Sequence, residues 1–176
     1  VALTASFHHI DYRLNHAMGG IILNIERNHI PLFLSFRISD NENDWKYIRT
    51  AVFIEEQGFI NEFDDIDHSA VHLCAYLNDT AVGCLRFFPE RNDASVWHLG
   101  RVAVLPHYRH QKIATALLTQ AEQTIRQKGA QRIRLDAQKA VCSLYAQAGY
   151  QICGTPFYDE HMEHIPMQKF ISKGNL

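Results

Sequence analysis

The chain has 176 residues, 47% of them hydrophobic, and a formal net charge of −2. That length and apolar content suit one domain with a sizeable core, and so balanced a charge points away from nucleic acid. Four cysteines without CxxC spacing (Cys74, Cys84, Cys142, Cys153) and eleven scattered histidines predict no metal or redox motif, although His8-His9 and His161/His164 are close in sequence.

In chain order, residues 1–31 show no sustained period and are expected to form an N-terminal extension, with a short strand beginning at Met18–Leu23. A core of residues 32–174 follows. Leu32–Ile38 reads as its first strand, and Ser39 with Glu42 three residues later predicts a capping box. The helix after it places Trp45, Ile48, Val52 and Phe53 on one face and ends near Gly58. An acidic loop comes next (Glu62, Asp64, Asp65, Asp67), read either as a solvated turn or as an attractor for a cationic amine.

Val71–Leu77 and Thr80–Phe88 around Asn78-Asp79 form the clearest hairpin, and a looser turn over Pro89–Ala94 leads to a third strand, Ser95–Leu105. Pro106 stops that strand. A polar, partly basic turn, His107–Lys112, then opens a helix whose Ile113, Ala114, Leu117, Leu118, Ala121 and Ile125 share one face up to Gly129. Arg132–Asp136 should return parallel to Leu99–Leu105, because a helix separates the two strands. Ala140–Ala148 reads as a second helix stopped by Gly149. Tyr150–Cys153 and Glu163–Phe170 close the domain, Pro166 marking an edge or a strand start. The fold class is therefore α+β, a mixed and mostly antiparallel sheet with helices. No stretch nears the roughly 20 apolar residues of a membrane span, and no basic-then-apolar leader opens the chain. A cytoplasmic protein without membrane or nucleic-acid partners is expected.

The turn before Ile113 offers several unpaired main-chain N–H groups at a helix start, a ready phosphate site. Around it, Val102-Ala103-Val104-x-Pro106-x-Tyr108-Arg109-x-x-x-Ile113-Ala114-Thr115-x-Leu117-Leu118 resembles the acetyl-CoA motif of the GNAT N-acetyltransferase superfamily. The family loop runs Gln/Arg-x-x-Gly-x-Gly/Ala; Arg109 and Ala114 fit its ends, whereas Lys112 replaces the first glycine. A positive φ at Lys112 would cost about 1 kcal/mol. Further resemblance, to the ElaA-like branch, lies in Arg49-x-x-Val52-Phe53-x-x-Glu56-Gln57, continuing through Glu62-x-Asp64-x-x-Asp67. Asp159–Met167, with Glu160, His164 and Met167, matches the close of that branch.

The resemblance implies a V-shaped splay between two central parallel strands, acetyl-CoA as co-substrate, and direct acetyl transfer to a primary amine in a ternary complex. It places the cofactor on the main chain of Val102, Ala103, Val104, Arg109, His110, Gln111, Lys112, Ile113, Ala114 and Thr115, with oxyanion donors at Val102 and Val104. In Ser143-Leu144-Tyr145-x-x-x-Gly149-Tyr150 it makes Tyr145 the acid that protonates the departing sulfur; periodicity alone puts Tyr145 in the core beside Val141 and Ala148. For the general base Glu56 is preferred, with His98, His72 and Glu90 open. His98 and His164 are substrate-side candidates, and a homodimer is allowed. Two rival readings share these residues: an acyltransferase with another donor, and a CoA-binding module without catalysis.

Overall fold

The computed structural model describes residues 12–15, 20–27, 30–39 and 41–171, with side chains from residue 34 onward. His8, His9 and Met18-Gly19 of the short strand expected in the N-terminal extension lie outside the described residues. In order the elements are β1 (Tyr12–Asn15), β2 (Gly20–Arg27), β3 (Ile30–Ile38), α1 (Glu42–Arg49), β4 (Val71–Leu77), β5 (Thr80–Glu90), β6 (Asp93–Val104), α2 (Ile113–Gln127), β7 (Arg132–Gln138), α3 (Cys142–Gln147), β8 (Gln151–Ile152), β9 (Phe157–Asp159) and β10 (Met162–Phe170). The sheet runs β1-β2-β3-β4-β5-β6-β7-β10, and both β8 and β9 pair with the outer edge of β10. Every described pairing is antiparallel except β6 with β7.

Each face of the sheet carries its own core. The α2 and α3 side buries Phe87, Leu99, Leu117, Leu118, Ile125 and Ile133. On the other side Trp45, Ile48, Val52 and Phe53 pack over Cys74, Cys84 and Ala103. The apolar stripe expected on α1 is thus present, but the helix widens into a π-helical stretch over Thr50–Glu56. Its N-cap is Asn41, whose side chain accepts from the Asn43 N–H; the Ser39 hydroxyl instead donates to the Asn41 carbonyl, so the Ser39 capping box does not form. Gly129, at φ +83°, ends α2 where a side chain would be strained. Cys74 and Cys84 are buried as expected, whereas Cys142 and Cys153 are only partly so.

The C-terminal strands depart furthest from expectation. The strand expected over Tyr150–Cys153 shrinks to β8, and β9 forms where none is expected. Pro166 sits in the middle of β10, between β7 and the outer strands. A residue's N and C=O point to the same side of an antiparallel strand, and the Pro166 carbonyl accepts from the Cys153 N–H. The missing N–H therefore faces Cys153 and away from β7, so the β7 ladder stays whole and only the reciprocal bond to Cys153 is forgone, and Gly154 packs against the ring.

Candidate active site

The site is built where β6 and β7 part. Their parallel ladder covers only three pairs, Val96–Arg132, Trp97–Ile133 and His98–Arg134. Beyond His98 the strands diverge, although β6 runs on to Val104 and β7 to Gln138. Slot-facing main-chain groups of β6 past this fork have no strand partner on β7 among the described residues. A bulge adds to the opening: two β6 residues, Arg101 and Val102, face the single Leu85 of β5, and Arg101 takes a left-handed φ of 56°. A cleft of about 490 Å³ fills the fork.

Eight of the expected site residues line that cleft: His98, Val102, Ala103, Val104, Arg109, Ala114, Tyr145 and His164. Tyr145 projects from α3, 7% exposed, and burial pushes its phenol well above the usual tyrosine range. It is therefore a neutral O–H donor at physiological pH. His164 has Nδ1 at 3.0 Å from the Met162 carbonyl, and its ring stacks on Phe157. A carbonyl only accepts, so Nδ1 carries the proton in that bond and the neutral ring keeps its lone pair on Nε2. The His98 Nε2 meets Glu90 Oε1 at 2.8 Å, its ring stacked on Phe88.

Past the cleft mouth the chain makes the turn into α2. His110 (φ 61°) and Lys112 (φ 59°) are both left-handed, the kind of backbone from which concave anion seats are built. Lys112 is the N-cap of α2 and gives no side-chain cap bond, so the first-turn amides of Ile113, Ala114 and Thr115 are not taken by a capping side chain. The Ile113 side chain is buried in the core, leaving its main chain for the turn, while Thr115 is exposed. These residues fit a coenzyme pyrophosphate, with Ala114 small enough for close approach. Lys112 stands in the conformation that makes glycine common at this position.

Glu56 does not fit the base role. Its carboxylate forms a two-point ion pair with Arg109 across the outside of the cleft, which it does not line, and that bond holds its pKa below the usual value. Both carboxylate oxygens that would take the proton are held by the guanidinium. Nor do two of the alternatives serve. His72 is buried face to face on Trp45, its Nε2 at the Asp67 carbonyl, and burial lowers its pKa. Glu90 is occupied by His98 and Arg134, and the His98 bond pulls its pKa down.

The acidic loop is neither a solvated turn nor an amine attractor. Arg49, 1% exposed, bonds Glu62 at 2.6 Å and Asp67 at 2.5 Å; Arg86 bonds Asp64 and Asp67 at 2.6 Å each; Arg101 lies 3.0 Å from Glu62. Three guanidiniums thus meet three carboxylates. Burial raises the Glu62 pKa despite these partners. For Asp67, burial works upward too, but the bonds from Arg49 and Arg86 win and hold its carboxyl far below the usual range. The network joins α1, the loop and the β6 bulge. Only Asp65 of the loop's named acids stands outside these pairs, and it is exposed.

Several cleft residues were not singled out by sequence: Phe59, Arg86, Arg101, Asp136, Gln138 and Phe157; Gln57 and Asp159 were named only as motif letters. A lone arginine after Gly100 in an apolar strand was the available signal for the bulge. For Asp136 it was the alternation Arg132-Ile133-Arg134-Leu135-Asp136, which puts the charged residues on the face opposite the core.

The sequence profile of the Acetyltransferase (GNAT) family matches residues 36–150. The chain belongs to the GNAT family. It is accordingly an acyltransferase of the acyl-CoA-dependent kind. Among its relatives is the uncharacterized protein YyaT of Bacillus subtilis (strain 168), 29% identical over 131 residues, covering 72% of this chain and 86% of YyaT. Among solved structures, Escherichia coli ElaA superposes with a TM-score of 0.68 at 21% identity, over 78% of this chain and 99% of ElaA. An aminoglycoside 6'-N-acetyltransferase complexed with coenzyme A gives 0.64 at 15% identity, over 81% and 99%. At these identities the two structures speak for the fold.

Proposed function

We propose that this GNAT protein moves an acetyl group from acetyl-CoA to a primary amine by direct attack, both substrates held in the one cleft. The observation that carries this reading is the three-pair limit of the β6–β7 ladder, with Tyr145 in the opening beyond it. An extended pantetheine arm can take up main-chain groups that a zipped sheet would use, while the two left-handed residues before α2 seat the pyrophosphate. Acetyl-CoA supplies the thioester; the protein's residues position and protonate. Main-chain N–H groups near Val102 and Val104 supply donors toward the carbonyl oxygen as charge grows on it. The Tyr145 hydroxyl gives its proton to the departing sulfur, a transfer its neutral state permits. No cysteine is needed as a nucleophile: Cys74 and Cys84 are buried, and burial pushes the Cys74 thiol up to about 12.

The test is a calorimetric titration with acetyl-CoA, paired with a thiol-release screen across primary amines. Micromolar binding with amine-dependent thiol release supports the reading. Binding without release for any amine would leave a CoA-binding module, and tighter binding of a longer acyl-CoA would move the donor.

A further inference from the structure

Resting on that reading, the geometry points to Asp136 as the group that receives the reacting ammonium of the acceptor. It selects cationic primary amines with no carboxylate beside the amine. Extending the β6–β7 register two residues past its last pair sets Asp136 opposite Gly100, just beyond the fork. Ile133, Leu135 and Ala137 are buried in the α2-side core, so Asp136 presents its carboxylate to the other face, exposed and lining the cleft. Facing it there are His98 and the Arg101 bulge of β6, Arg134 and Gln138 of β7, and His164 of β10, with Glu62 on the loop above.

The pairing of charges gives the choice of acceptor. Arg86, Arg101 and Arg109 line the cleft, and each is bound to a carboxylate; Arg134 beside them holds Glu90. Glu62 is bound as well. Asp136 and Asp159 line the same cleft and make no ion pair or side-chain hydrogen bond among the described residues. An acceptor carboxylate would therefore meet guanidiniums already neutralised and a carboxylate already waiting, whereas an ammonium meets Asp136 directly. Phe59, Phe88 and Phe157 supply aromatic walls for an apolar stem or a cation.

The chemistry balances. One N–H proton of the ammonium passes to an Asp136 oxygen, and the freed lone pair forms the N–C bond. As the C–S bond breaks, sulfur takes the Tyr145 proton. The surplus proton on the new amide nitrogen returns to the Tyr145 oxygen, and the proton on Asp136 leaves to water.

The experiment uses matched pairs of monoamines differing only by the carboxylate, phenethylamine against phenylalanine and tyramine against tyrosine. Thiol release from acetyl-CoA is followed with the wild-type protein, Asp136→Asn and Asp136→Glu, each also titrated with CoA. The decarboxylated member of each pair should show kcat/KM at least about tenfold higher. Asp136→Asn should lower kcat/KM for the amines about 100-fold and narrow that preference, with CoA affinity within twofold, while Asp136→Glu keeps the preference. An equal or better rate with the amino acids, or an unaffected Asp136→Asn protein, overturns the inference and leaves the transferase standing. Failure to bind CoA, or no transfer to any amine, overturns both.

Discussion

Two turns of this protein are rich in charge, and they use it in opposite ways. The loop from Glu62 to Asp67 spends its three inward carboxylates on Arg49, Arg86 and Arg101, drawn from positions 13 to 39 residues away. The turn from Arg109 to Thr115 sends its one cleft-side guanidinium back to Glu56 and offers a row of main-chain donors. One turn is charged to hold the fold; the other binds through its backbone, with its charge set aside. Charge along a sequence therefore does not distinguish a binding loop from a buried clasp. The number of partners within reach does, and those partners are distant in sequence.

The largest effect that separates the two turns should come from the clasp. Asp67→Ala leaves Arg49 and Arg86 short of a partner in a buried site and should cost about 3–5 kcal/mol of stability. Urea unfolding of the free protein measures it, and a loss under 1 kcal/mol would make the loop a surface feature. The same carboxylate sets an acid limit. Its folded pKa is depressed, so its stabilisation is complete above the unfolded value near 4 and fades as pH falls below it. Asp64, lowered by its bond to Arg86, acts in the same direction, while Glu62, raised by burial, acts against both. Unfolding free energy should fall as pH drops below about 4, and Asp67→Asn should flatten that fall.

On the cleft side the effect should fall on rate. Tyr145→Phe removes the proton donor and keeps the ring packed against Tyr150, so kcat should fall about 100-fold with acetyl-CoA affinity within twofold. Steady-state kinetics with a calorimetric titration separates the two. An unchanged kcat would return Tyr145 to a packing role.

What could be read along the chain was whatever the chain settles locally. Asn78-Asp79 marked its hairpin, Gly129 its helix end, and the Ile113–Ile125 stripe its buried face, because each depends on residues within a turn or two. The cleft-lining half of the expected site was legible through motif letters around Val102–Thr115 and Tyr145. Ion pairs were not. Motif letters alone favour Glu56 as a base, whereas Arg109, 53 residues on, holds its carboxylate. Asp136 looked like the end of a strand until the register placed it at the fork. The interior place of Pro166 depended on β9, which is three residues long.

Lys112 tests the binding turn by relief of strain. It holds φ 59°, a conformation glycine adopts freely. Lys112→Gly should raise stability by up to about 1 kcal/mol and keep or tighten acetyl-CoA binding. A fall in affinity beyond about tenfold, 1.4 kcal/mol by the usual conversion, would show that the ammonium itself holds phosphate.

The finest test concerns the Glu56–Arg109 pair, which sits between the two regions in kind. It is an ion pair, like the clasp, but both side chains are a third or more exposed, at 40% and 33%. Solvent screens such a pair, so Glu56→Gln should change stability by less than about 1 kcal/mol. Because Glu56 lies outside the cleft lining and its pKa is held low, the substitution should also leave kcat within about threefold, far from the 10²–10⁴-fold loss of a general base. A modest rise in KM for acetyl-CoA is expected, since Arg109 also holds the Val104 carbonyl at 3.0 Å and steadies the start of the turn. A hundredfold drop in kcat with KM unchanged would restore Glu56 to the reaction and require this ion pair to open during turnover.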